Sequence, residues 1–191
     1  MVTTAERIED SATLIDLLQR VEALEAGQRG KVAQKNKLTI IAWGGDLDRI
    51  WPTTILATTA AASGMEASVF FTFWGLFAIV KPSVRITGEN WMQKMMSVMN
   101  AGSAQKAKLS RYHFRGAGPA MFKKLANDHQ VAKPEELIAT AQELGVRLIP
   151  CQMTMDLLGL KREDLIDGLE EPIGAATAIF EMRDAAVSLF I

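Results

Sequence analysis

One cysteine, two histidines and one tyrosine are all that 191 residues contain of those types. A single cysteine, Cys151, excludes an internal disulfide, so nothing points to an oxidising compartment. His113 and His129 lie sixteen residues apart in polar surroundings, without an HxxxH, CxxC or carboxylate cluster. No metal and no cofactor is therefore expected. Walker and GxGxxG spacings are absent, and no elbow motif supports a Ser-His-Asp triad. A net charge of −1 argues against a dedicated nucleic-acid binder. Ala67 to Val80 is nearly all apolar but only 14 residues long. A membrane-spanning helix needs about 20. No transmembrane segment is expected, although shallow contact with a membrane surface is compatible with this stretch. The first residues, MVTTAERIEDS, include acids and no apolar core of a secretory signal, so a cytoplasmic location is expected.

Apolar content of 49% and charged content of 23% describe an ordinary globular chain, long enough for one domain and an appendage. Residues 3–28 are expected to form an amphipathic helix. Thr3 and Glu6 suit a capping box, and Leu14, Leu17, Val21 and Leu24 follow helical spacing. The seam is too short to establish a coiled coil, and a helix lying on its own domain explains it equally. Residues 1–36 thus read as a helix and linker, and residues 37–191 as the globular domain. There, Leu38 to Trp43 reads as a strand and Gly44-Gly45-Asp46 as a turn. A helix follows from about Leu47 to Ser63, with Asp46 or Asp48 as its cap and Pro52 in its first turn. Ala67 to Thr72 is a second strand. This βαβ order predicts a parallel sheet covered on both faces. Glu89 to Met99 reads as a Met-rich helix. From Asn90 to Asn127 there are seven Lys or Arg and no acids, which suits either a solvated face or a dock for an acidic partner or anion.

The stretch AQELGVRLIPCQMTMDLLGL, residues 141–160, carries the most chemistry. Gly145 suits a helix stop, Val146 to Ile149 a buried strand, and Pro150 an end to strand pairing. Gln152 to Leu158 is a good helix former. Cys151 is thus expected at a strand end and a helix start, partly exposed, where free N–H groups and the helix dipole favour a nucleophilic thiolate. An inert, packed cysteine is the plain alternative.

GGDLDRI at 44–50, FFTFWGL at 70–76, GAGPAMFKKLA at 116–126, and CQMTMDLLGL with LIDGLE at 151–170 together resemble the DsrE/DsrF-like proteins. The likeness is greatest to a longer subgroup with a SGDLDK-like turn and a C-x-M-S-M-D segment. The resemblance covers about residues 37–191 and implies a three-layer α/β/α fold with a mainly parallel sheet of about five strands. It implies a homo-oligomer, as trimer, tetramer or hexamer, and a sulfur relay in which Cys151 carries a persulfide. The partner would be a small sulfur-carrier protein or a low-molecular-weight thiol. Gly44, Gly45 and Asp46 would then line the neighbouring crevice, with Trp74 and Gly75 opposite and Met153 among the ligand-binding residues. Gly44 replaces the small polar residue common before the GDLD turn. With no second cysteine, a persulfide cannot be resolved within the chain. Two other functions stay open: a non-catalytic oligomeric binding or scaffold protein, and a binder of a small anionic ligand at the glycine turn.

Overall fold

The computed structural model describes residues 16–24, 36–84, 91, 103–111 and 114–191. The chain divides into two units, residues 1–36 and 37–191. In the first, residues 16–24 form a helix, α1, with Asp16 and Arg20 paired one turn apart at 3.3 Å. The expected capping box at Thr3 and the Met-rich face at Met92 to Met99 lie outside the described residues.

The second unit is built on four parallel strands: β1 (Lys37–Ala42), β2 (Glu66–Phe71), β3 (Arg147–Pro150) and β4 (Val187–Phe190), in the order β3-β2-β1-β4. Helix α2 (Leu47–Ala62) links β1 to β2, and a 3-10 helix, Phe73–Ile79, follows β2. Then come α3 (Ala117–Asp128), α4 (Pro134–Glu143), α5 (Gln152–Leu158) and α6 (Ala175–Arg183). The layers are α/β/α. Alternation of side chains along each strand divides the core. Leu38, Ile40, Val69, Phe71 and Leu148 enter a large cluster with residues of α2, α4 and the 3-10 segment. Ile41, Phe70 and Ile149 point the other way, into a small cluster with Cys151 and Ala178 of α6.

Two local expectations are corrected. Pro52 occupies the sixth position of α2, not its first turn, because the helix begins at Leu47. It therefore withholds one interior helix bond, whereas Thr53 and Thr54 return their hydroxyls to the Arg49 and Ile50 carbonyls at 2.8 and 3.0 Å. Pro150 does not end pairing. It lies opposite Phe71, and the Cys151 N–H still donates to the Phe71 carbonyl at 2.9 Å. Proline is tolerated because β3 is the outer strand.

At the start of the strands, Arg147 grips Glu170 with two bonds, 2.6 and 2.8 Å, and Glu181 at 3.1 Å. Lys37 also donates to Glu181. Burial pushes Glu181 up, but the Lys37 and Arg147 donors outweigh it and hold its carboxyl below the usual range. The Arg147 guanidinium is held above its ordinary value chiefly by the Glu170 bond. This network ties β1, β3 and α6 together at the sheet end opposite Cys151.

Candidate cysteine cleft

Cys151 stands directly after β3 as the N-cap of α5, in extended conformation with φ −82°. Its backbone is fixed on both sides. Its N–H bonds to Phe71, its carbonyl accepts from Met155 at 3.0 Å, and the neighbouring Gln152 N–H reaches Ile173 at 3.0 Å. The side chain is 1% exposed, which corrects the expectation of partial exposure. The reason is coverage: Ile41, Phe70 and Ile149 beneath the sheet's second face and Ala178 of α6 close around the thiol.

Among the described residues, the helix packed on that face is the nine-residue α6, and it leaves the face incompletely covered. A cleft of about 640 Å³ remains, with Cys151 in its lining. Trp43, Phe73, Trp74, Met153, Ile179 and Phe190 also line it. Phe73, Trp74 and Met153 are 46%, 40% and 48% exposed. Trp43 stacks on Phe190 at 6.1 Å, and the Arg49 guanidinium lies 4.1 Å from the Trp43 ring centroid.

Phe73 adopts φ +46°, a left-handed backbone that a bulky residue rarely takes. Its N–H is held by the Thr154 hydroxyl at 3.1 Å, and Thr154 also bonds the Thr72 hydroxyl at 3.2 Å. Thus the helix that follows Cys151 fixes the aromatic turn that flanks it.

The structure brings Cys151, Trp74 and Met153 together. Gly44, Gly45, Asp46 and Gly75 are not in the cleft lining. Instead the two turns meet backbone to backbone. A Cβ on Gly45 would lie 2.4 Å from the Trp74 carbonyl oxygen, and one on Gly75 would lie 2.1 Å from that of Ala42. The Gly75 N–H donates to Trp43 at 3.0 Å. Asp46 caps α2 by position without a side-chain bond; burial and Asp48 raise its pKa against the pull of Arg49. Burial also works against ionisation of Asp48, but both Ser110 bonds outweigh it and hold its carboxyl low. With Leu47 N–H bonded to Lys108 at 2.7 Å, this pins the basic 108–110 loop at the start of α2, the same sheet end as Cys151.

Trp43, Phe73, Thr154 and the α6 residues Ile179 and Met182 were not among the candidates. Trp43 adjoins one quoted motif, and Phe73 and Thr154 lie inside two others, so all three could have been found there. The α6 residues carry no local signal. Among the described residues, no group of three or more His, Cys, Asp or Glu is placed to hold a metal ion. No described helix is long and apolar enough to cross a membrane.

The model of the DsrE/DsrF/DrsH-like family matches residues 34–190. The chain belongs to that family. Among its relatives, "Uncharacterized protein YrkE" of Bacillus subtilis (strain 168) is 37% identical over 158 residues, covering 83% of this chain and 98% of the relative. "Sulfur carrier protein DsrE2" of Allochromatium vinosum is 38% identical over 162 residues, covering 83% and 99%. The family match thus spans the whole sheet from β1 to β4 and includes Cys151.

Proposed function

We propose that this family member works in sulfur relay, with the Cys151 thiol taking up a sulfane sulfur, holding it and passing it on. The name of the Allochromatium vinosum relative, a sulfur carrier protein, supports the relay role. The observation that carries the reading is the place of the chain's sole cysteine, at a strand end in the lining of a cleft. A persulfide there has no second cysteine to attack it. Release must come from outside, from a small carrier protein or a low-molecular-weight thiol. The exposed aromatic and aliphatic residues around the cleft suit a homo-oligomer, a trimer, tetramer or hexamer. A cytoplasmic location, where thiols stay reduced, suits a single-cysteine carrier.

Mass spectrometry of the intact protein after treatment with polysulfide, and separately with a small organic persulfide, tests the reading; added sulfur from either donor supports it. Added sulfur is expected on the wild type and none on Cys151→Ser. Uptake by the serine variant would sink it.

A second reading, an oligomeric binding protein with an inert thiol, is favoured by the burial of Cys151. It requires no added sulfur on either protein.

A further inference from the structure

The chemistry of the cleft lining says which sulfur donors suit it. Of the thirteen lining residues, none is Lys, Arg, His, Asp or Glu. Its one hydroxyl, on Thr72, is engaged by Thr154. The rest is aromatic and aliphatic surface with the Cys151 thiol set into it. Arg49 rests on the Trp43 ring and faces Asp46 at 4.0 Å, but it is not part of the lining. With Cys151 only 1% exposed, a donor must occupy the cleft to reach the sulfur. An anionic tail would leave its water shell and find no described cation in return, a heavy cost in such surroundings. An uncharged apolar tail would instead gain by covering apolar surface.

We propose that the Cys151 cleft selects organic persulfides whose carbon part is uncharged and apolar, and disfavours donors with an anionic tail. This rests on the carrier reading above and names its substrate class. The step is a thiol exchange: Cys151–SH + R–S–SH gives Cys151–S–SH + R–SH. The Cys151 thiolate attacks the outer sulfur, a Cys151 S–S bond forms and the donor S–S bond breaks. The thiol proton ends on the departing R–S⁻. The Cys151 sulfur is oxidised and the donor persulfide reduced to a thiol, so no other oxidant is required.

The test uses the full chain and two persulfides of similar size, n-butyl persulfide and the persulfide of 3-mercaptopropionate. The –S–SH head is common to both, so only the tail charge differs. Intact mass follows the gain of one sulfur atom, and each rate is divided by that donor's rate with a small free thiol. Loading by the butyl donor is expected to be faster by about ten-fold or more. Met153→Lys places a cation in the half-exposed rim and is expected to narrow or reverse that ratio; circular dichroism confirms its fold. Equal loading by both donors, or a preference for the carboxylate donor, overturns the selectivity but leaves the carrier reading standing. A wild-type ratio unchanged by Met153→Lys shows that tail charge is not what the cleft reads, and also overturns it. Loading by neither donor overturns this inference, and removes the carrier reading as well only if polysulfide also leaves no added sulfur on the wild type.

Discussion

The Thr154 hydroxyl accepts the backbone N–H of Phe73 at 3.1 Å across 81 residues of chain. It joins the helix that begins at Cys151 to a turn whose φ of +46° would relax without support. Thr154→Val keeps the shape but leaves the part-buried Phe73 N–H and the buried Thr72 hydroxyl without this partner. A loss of about 1–3 kcal/mol is expected in urea unfolding. An unchanged midpoint would mean that the turn is held by other contacts.

Gly75 tests the junction of the two turns. The Cβ of Gly75→Ala would meet the Ala42 carbonyl oxygen at 2.1 Å, and rigid strand backbone cannot yield to it. A loss above about 4 kcal/mol, or failure to fold, is expected. At Gly174 the added methyl meets open space, and Gly174→Ala should cost about 1 kcal/mol or less. Similar costs for both would refute the close approach.

Glu181 supplies a pH signature. Its folded carboxyl is held below the unfolded value by Lys37 and Arg147 in spite of burial. Its stabilisation is therefore complete above the unfolded pKa of about 4.3 and is lost as pH falls through the lower folded value. At neutral pH, Glu181→Gln should cost about 1–2 kcal/mol, reduced because Arg147 is over a third exposed. Below the carboxylate range the two proteins should converge. A gap that persists in acid would assign the loss to packing.

Assembly is the fourth expectation. Ile179, Phe180, Val187 and Phe190 are exposed on α6 and the outer strand β4, a combination that invites pairing between copies. Light scattering should report an oligomer at micromolar concentration, and Phe180→Asp should weaken it. A monomeric wild type would refute the proposal.

Sequence and fold contribute differently here. The βαβ order, the parallel sheet and the strand-cysteine-helix junction follow from short-range signals. Apolar runs of strand length and glycines able to take positive φ act within a few residues. Gly64 and Gly145 do take φ of +79° and +75° where their helices close. Exposure of the thiol is another matter. Cys151 is buried because α6, more than twenty residues downstream, lays Ala178 against it, and no local pattern encodes that packing. The same holds for the glycine turn. Its residues suggest an open loop, yet Gly45 and Gly75 are used to let two backbones touch. The sequence by itself determined where the cysteine falls along the chain. Only tertiary packing decided which side chains surround it, since an incompletely covered sheet face exists only once the layers are assembled.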